Sequence, residues 1–215
     1  MNPFGLPITE ETLKAMARYA DRDITQVDCA REAMRLIHAE DKNLSALQHA
    51  LDLKSSYGDG VSTMVLVYNA TGNTVELVDE QKMDWSGYVY HEQPPTTFQN
   101  GQWVAFLHVH PKGQSIGCEA ARVFRSQNVN GDVRDFMVAW SLPWSATPNS
   151  AYAEIREKDH FPPYWGYIKG LLEEAGRMSG DEDEYMESTA SVGGYTTSEF
   201  VVVLKHKFAP LPDEN

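Results

Sequence analysis

GDVRDFMVAWSLPWSATPNSAYAEIRE, Gly131 to Glu157, is the stretch whose reading decides the fold. A turn at Asn130-Gly131-Asp132 opens it, and Phe136 to Trp140 follows as an apolar, β-prone run bracketed by Arg134 and Asp135. The run stops at Ser141-Leu142-Pro143-Trp144, because proline offers no N–H to a ladder and forces its predecessor into an extended shape. A loop of small residues, Ser145 to Ala151, leads to a second strand-like segment at Tyr152-Ala153-Glu154-Ile155. The stretch therefore predicts a buried strand that delivers Trp140, Ser141, Trp144 and Tyr152 to one rim of a sheet. Aromatic rings and hydroxyls raised on loops from a rigid scaffold suggest a binding surface.

Outward from this stretch, two kinds of pattern divide the chain. Toward the N-terminus, Thr9 can cap a helix with Glu10 and Glu11 in its first turn, and Leu13, Met16, Ala17 and Ala20 repeat at helical spacing. A second helical pattern runs from Ile24 to Asp41, and Leu44, Leu47 and Leu51 continue it in a third, ending at Tyr57-Gly58-Asp59-Gly60. From Val61 the period changes to that of strands. Ser62 to Asn69 predicts a strand, Ala70 to Asn73 a hairpin-type turn, and Thr74 to Val78 the return strand. Further strands are expected at Trp85–Tyr90, Gln102–His110, Gly117–Arg125 and Phe200–Lys205, with a short helix near residues 164–175 ended by Gly176. The acidic run Asp181-Glu182-Asp183-Glu184 reads as a solvated loop, and the tail carries Pro210 and Pro212. The expectation is a helical extension over 1–60, packed on a mainly β body, a β-sandwich, over 61–215.

Composition narrows the partners. The chain of 215 residues is 42% hydrophobic and 11% aromatic, a globular balance, and its formal charge of −13 argues against nucleic acid or a strongly anionic surface as partner. Zwitterionic or neutral ligands remain open. Two cysteines, Cys29 and Cys118, are too few for a disulfide framework. The start, MNPFGLPITEET, has neither a basic segment nor an apolar core of a signal peptide, and no window approaches the roughly 20 apolar residues of a membrane span. A soluble protein made in the cytosol is expected, acting on membranes only peripherally.

Signatures of catalysis are weak. His108 and His110 leave the same face of a strand, as two metal ligands would, but no third ligand is placed by spacing. Cys29 lies inside a helical pattern, a usual place for a buried small residue, and Glu154 and Glu157 beside Arg156 read as surface charge. No catalytic residue, metal or cofactor is expected, and the protein is read as a non-enzyme. The aromatic constellation is stronger: Trp85, Tyr88, Tyr90, Trp144, Tyr152, Tyr164, Trp165 and Tyr167 lie at strand ends, in loops or beside prolines. Electron-rich ring faces attract a quaternary ammonium by ~1–2 kcal/mol per desolvated ring, and Ser86 and Ser141 can meet the attached phosphate. Tyr and Trp also suit the lipid–water interface.

The order of features resembles the actinoporin-like family of membrane-binding β-sandwiches. The matching pieces are Gly101-Gln102-Trp103-Val104-Ala105, Ala120-Ala121-Arg122-Val123-Phe124, Trp140-Ser141-Leu142-Pro143-Trp144, Tyr152-Ala153-Glu154-Ile155, Tyr164-Trp165-Gly166-Tyr167 and Phe200 to Leu204. Within that family the chain is similar to the nakanori type of mushroom protein, which recognises sphingomyelin with cholesterol. It also shares the Gly-Gln-Trp, Ala-Trp-Ser-x-Pro-Trp and Tyr-x-Glu-Ile-Arg-Glu patterns of plant jasmonate-induced proteins. The resemblance implies an actinoporin-like sandwich and a phosphocholine pocket on Ser86, Ser141, Pro143, Tyr164 and Tyr167. It puts Trp144, Tyr152 and Trp165 among membrane-facing aromatics and makes sphingomyelin/cholesterol membranes the implied partner. Two departures matter. The N-terminal region is long and charged, so binding without efficient pore formation is expected, and Ser145 to Ala151 stands where the family has a tyrosine-rich loop. A lectin-type carbohydrate binder on the same sandwich is the alternative, since aromatic platforms also stack on sugars.

Overall fold

The computed structural model describes residues 2–207; the Pro210/Pro212 tail lies outside the described residues. Three helices come first: α1 (Glu10–Lys14), α2 (Gln26–Arg35) and α3 (Lys42–Tyr57). Twelve strands follow, with one helix among them: β1 (Ser62–Ala70), β2 (Val75–Leu77), β3 (Met83–Ser86), β4 (Tyr88–Val89), β5 (Thr97–Phe98), β6 (Trp103–Val109), β7 (Cys118–Gln127), β8 (Val133–Leu142), β9 (Ser150–Glu157), α4 (Trp165–Glu174), β10 (Met178–Glu182), β11 (Met186–Val192) and β12 (Thr197–His206). They form two six-stranded sheets. One has the order β10-β11-β12-β1-β6-β4; the other is β5-β2-β7-β8-β9, with β3 also paired to β7.

The stretch that organises the sequence supplies β8 and β9, antiparallel neighbours in register from Arg134↔Glu157 to Ser141↔Ser150. Between the sheets Phe136, Val138, Trp140 and Leu142 of β8 meet Phe106 of β6 and Phe200 and Val202 of β12 in one apolar cluster. Burying each such side chain contributes about 1.5–3 kcal/mol. Trp140, expected at a rim, is instead fully buried; its ring lies 5.1 Å from Phe200 and its Nε1 donates to His108 Nδ1 at 3.3 Å. The period-2 alternation of β8 turns even-numbered residues inward, which decides the matter.

The helices cover the outer face of the first sheet. Ala46, Ala50, Leu53 and Tyr57 of α3, spaced four and three apart, join Met64, Leu66 and Tyr68 of β1 and Trp103, Ala105 and Leu107 of β6 in a second cluster. Strand β1 is consequently buried on both faces. Two helices are shorter than their periodicity suggests. The first ends at Lys14, and the second ends at Arg35, five residues before Glu40 and Asp41 turn the chain into α3 with φ of 56° and 53°. Buried Glu32 pairs with Arg18 and accepts from Tyr19 Oη at 3.1 Å, while Asp28 pairs with Arg22.

Three further expectations are corrected. Thr74–Val78 is not a return strand beside β1, because both edges of β1 are already taken, by β12 in parallel and β6 antiparallel. Instead β2 joins the second sheet, paired to β5 and β7. Likewise Trp85–Tyr90 is two strands in different sheets, and Gly87 at φ +102° makes the crossing. Only half of the acidic run is a loop: Asp181 and Glu182 end β10, while Asp183 and Glu184 lie in the turn, where Asp183 Oδ1 accepts the N–H groups of Tyr185 and Met186. Strand β10 also shields the open edge of β9, since Ser179 Oγ and Asp181 Oδ2 accept from Ala153 N and Ile155 N. Unpaired edges invite association, and this one is closed by side chains.

Candidate functional site

Helix α4 lies on the outer face of the second sheet. Pro162 and Pro163 fix the backbone of the preceding turn, and Phe161, Trp165, Ile168 and Leu172 pack on Ala121, Met137 and Ala139. At 100° per residue this inward stripe leaves Tyr164 and Tyr167 on one flank of α4 and Lys169 on the other.

On the first flank, α4 and β9 bound a groove of about 570 Å³ lined by Glu154, Arg156, His160, Phe161, Tyr164, Tyr167 and Ile168. The His160 and Tyr164 rings stack at 4.7 Å and 16°, and Tyr164 and Tyr167 are 46% and 66% exposed. Glu154 is buried; it accepts from Tyr152 Oη at 3.2 Å and pairs with Arg156 at 2.5 Å. Arg156 also reaches Asp181 at 3.3 Å. Burial, with the Glu154 charge beside it, pushes the Tyr152 phenol up to about 12, so it stays protonated and donating. An aromatic wall over a buried carboxylate is an arrangement that attracts an organic cation. The adjoining guanidinium offers an anion a partner.

Ser86 and Ser141 are not in this groove. They stand across the ladder from Glu119, on β3 and β8 respectively. Ser86 Oγ donates to Gly117 O at 2.6 Å, and Ser141 Oγ donates to Glu119 Oε1 at 2.7 Å. Glu119 also lies 3.8 Å from Lys169. The residues expected to form one pocket are therefore brought together in two groups, tyrosines on one flank of α4 and serines toward the other. Pro143 follows Leu142 at the end of β8, where a Cβ on Gly117 would meet Leu142 O at 2.0 Å. Tyr152 is half-buried under α4, and Trp165, the first residue of α4, is half-buried and edge-on to Trp85 at 6.3 Å, whereas Trp144 is 47% exposed.

Sequence reasoning missed Glu154, Arg156 and His160. The signal was present, because Tyr152, Glu154 and Arg156 alternate at period 2 and so share one face of β9. Reading Glu154 as surface charge overlooked that α4 would cover that face. As for the histidine pair, His108 Nδ1 accepts from Trp140 and its Nε2 stands 3.3 Å from Asp84, while the His110 ring packs on Tyr57. Among the described residues no group of three metal-ligating side chains gathers.

Comparison with known proteins places this geometry. Similar sequences include the 23 kDa jasmonate-induced protein of Hordeum vulgare, 38% identical over 198 residues, spanning 90% of this chain and 92% of that one. A jasmonate-induced protein homolog of Atriplex canescens is 26% identical over 146 residues, 66% of this chain and 77% of its own. The crystal structure of the lipid-binding protein Nakanori superposes with a TM-score of 0.86 at 25% identity, over 94% of this chain and 99% of that one. The model of the Nakanori-like protein family matches residues 4–207, nearly the whole described chain. The chain belongs to the Nakanori-like protein family.

Proposed function

We propose that this protein is a peripheral membrane-lipid-binding protein that recognises phosphocholine headgroups, sphingomyelin with cholesterol foremost. The observation that carries the reading is the groove between α4 and β9, in which exposed Tyr164 and Tyr167 stand beside the buried Glu154 carboxylate. In this reading the tyrosine faces and Glu154 hold the trimethylammonium, and Arg156 meets the phosphate. Ser86, Ser141 and Pro143 are in this reading a secondary contact, toward the other flank of α4. A zwitterionic headgroup suits a chain of charge −13, because it needs no large basic patch. The likeness to a lipid-binding protein over nearly the full chain supports the same class of ligand.

Membrane perforation is not part of the proposal. Among the described residues no helix is long and apolar enough to cross a membrane. The helical layer is also tied to the first sheet and its loops, by Lys42 Nζ donating to Gly101 O, Asn100 Nδ2 to Cys29 O and Trp103 Nε1 to Ile37 O, and detaching it would break these bonds and expose the apolar face of α3. Vesicle flotation tests the class of ligand. Sphingomyelin/cholesterol and phosphatidylcholine vesicles should retain the protein without releasing entrapped dye, and soluble phosphocholine should compete. Retention on a glycan array with no vesicle binding would overturn the proposal in favour of a carbohydrate ligand.

A further inference from the structure

The turn that carries His160 into the groove beside α4 is pinned from several sides. Asp159, with φ of 64°, donates its N–H to Asp135 Oδ2 of β8 at 2.8 Å. Its carboxylate accepts from Arg125 of β7 at 2.6 Å and from Gln81 Nε2 at 2.7 Å. His160 N then donates to Glu157 O at 3.3 Å, and beyond the two prolines Tyr164 N donates to Phe161 O at 2.9 Å. His160 and Tyr164 are therefore set against each other by a turn that is itself anchored to the second sheet.

Their contact is face to face. The rings lie 4.7 Å apart and 16° from parallel, whereas Phe161 meets the imidazole edge-on at 5.4 Å and 85°. A neutral imidazole in this position extends the aromatic wall of the groove. A protonated one is a cation lying on the face of Tyr164, which is the same attraction by which that ring would draw an organic cation. Tyr164 cannot serve both in full, and two positive charges a few ångströms apart in a partly dry groove also repel each other.

The charged groups around His160 are engaged with one another. On its own turn Glu157 and Lys158 are exposed and opposite in sign, and Asp159 is taken by Arg125, whose hydrogen bond holds the carboxyl below its usual pKa. Arg125 also pairs with Asp135 beneath the turn. On β9 Glu154 is paired with Arg156, which Asp181 of β10 engages as well. Helix α4 and the turn before it contribute the phenols of Tyr164 and Tyr167 and the apolar Phe161 and Ile168. His160 is half-buried and so open to solvent. Histidine is the side chain whose charge ordinarily changes between about pH 5 and 8.

We infer that His160 decides whether the groove accepts a cation: the neutral imidazole admits a quaternary ammonium, and the protonated imidazole excludes it, so that the protein releases choline headgroups as the medium turns acidic. The inference rests on the headgroup reading of the groove and adds the residue that sets its selectivity and the condition under which binding is lost. Since one ring's share of cation binding corresponds to five- to thirtyfold in affinity, acidification from about pH 7.5 to about pH 5.5 should weaken binding on the order of tenfold. The coupling is reciprocal, so a bound cation should draw the proton off His160 by the same factor.

The test is calorimetric titration with tetramethylammonium, which carries the charge without the phosphate, and with phosphocholine, at those two pH values. The unaltered protein should bind both more weakly in acid. His160→Gln, which stays neutral, should give a nearly flat profile whatever its affinity, and His160→Arg, which stays charged, should bind weakly at both. Carboxylates ordinarily keep their charge over this range, and His160→Gln, which retains Glu154, reports any share they have. Melting at each pH shows that the variants are folded; should His160→Arg fail to fold, the comparison of the unaltered protein with His160→Gln decides alone. In proton NMR, tetramethylammonium should lower the titration midpoint of the one imidazole signal that His160→Gln lacks. Retention on sphingomyelin/cholesterol vesicles should fall in acid for the unaltered protein and hold for His160→Gln. Binding that acid leaves unchanged or tightens, or that falls equally in His160→Gln, overturns the inference while leaving the groove. No binding of either probe by any form at either pH sinks the headgroup reading and the role of His160 with it.

Discussion

Lys42 provides a sharp test of how the helical layer is held on the sheet. The first residue of α3, it is 6% exposed, and its ammonium donates to Gly101 O at 2.8 Å and Tyr68 Oη at 3.1 Å. Burial lowers its pKa to about 8, and the nearby Glu40 charge offsets this only in part. The unfolded chain keeps the proton up to about pH 10.4. Between these values the unfolded state binds more protons, so the folded state gains stability as pH rises, by about 3 kcal/mol in all. Replacing Lys42 with Met removes the penalty of burying the ammonium but leaves the Gly101 carbonyl without its donor, at about 1–2 kcal/mol. Lys42→Met should therefore be more stable than the parent at pH 7 by about 1–2 kcal/mol, and less stable above pH 10. For a chain of this size each kcal/mol moves Tm by about 2–4 °C. Thermal melts of both proteins between pH 7 and 10.5 provide the assay, and the difference between them cancels the groups they share. A Tm difference that is constant across that range would refute the argument.

Other outcomes follow from the same structure. Trp140→Ala should destabilise by about 3–5 kcal/mol, seen as a fall in the urea midpoint, because the indole is fully enclosed between the sheets. Asp84, although burial raises its pKa, is held down at about 2 by His108 and Arg122, so its contribution is present above pH 4 and lost as pH falls toward 2. The acid melting curve of Asp84→Asn should accordingly be flatter than that of the parent in that window, by about 2 kcal/mol. Gly60→Ala should lower Tm, since Gly60 has φ of +123° and an added Cβ would fall 2.1 Å from His110 Nε2; Gly113→Ala, with positive φ but open space around it, should lower Tm less.

Much of the sandwich was legible in the sequence because its evidence is local. The alternation of β8, the proline that ends it, and the capped starts of α1 and α2 are written within a few residues of one another. What escaped is non-local. Nothing near Thr74 says that both edges of β1 are occupied by strands more than 30 residues along the chain from β1 itself, so local sequence alone makes β2 a hairpin partner. Trp140 was misplaced because composition marks an aromatic residue without saying which face of the strand it takes. At the candidate site the tyrosines of α4 were readable from their position beside the prolines, but their partners were not. Glu154 becomes a buried carboxylate only once α4 lies over β9, and the serines separate from the tyrosines only because α4 passes between them.

The central claim is that the groove beside α4 holds the choline headgroup, and vesicle binding by groove variants tests it most directly. Tyr164→Ala or Tyr167→Ala alone should weaken binding to sphingomyelin/cholesterol vesicles five- to thirtyfold, from ~1–2 kcal/mol per ring. The double variant should abolish measurable binding while circular dichroism and melting stay near those of the parent, since both rings are exposed. Ser141→Ala should change binding far less than either tyrosine. A folded double variant that binds these vesicles with unchanged affinity would contradict the account.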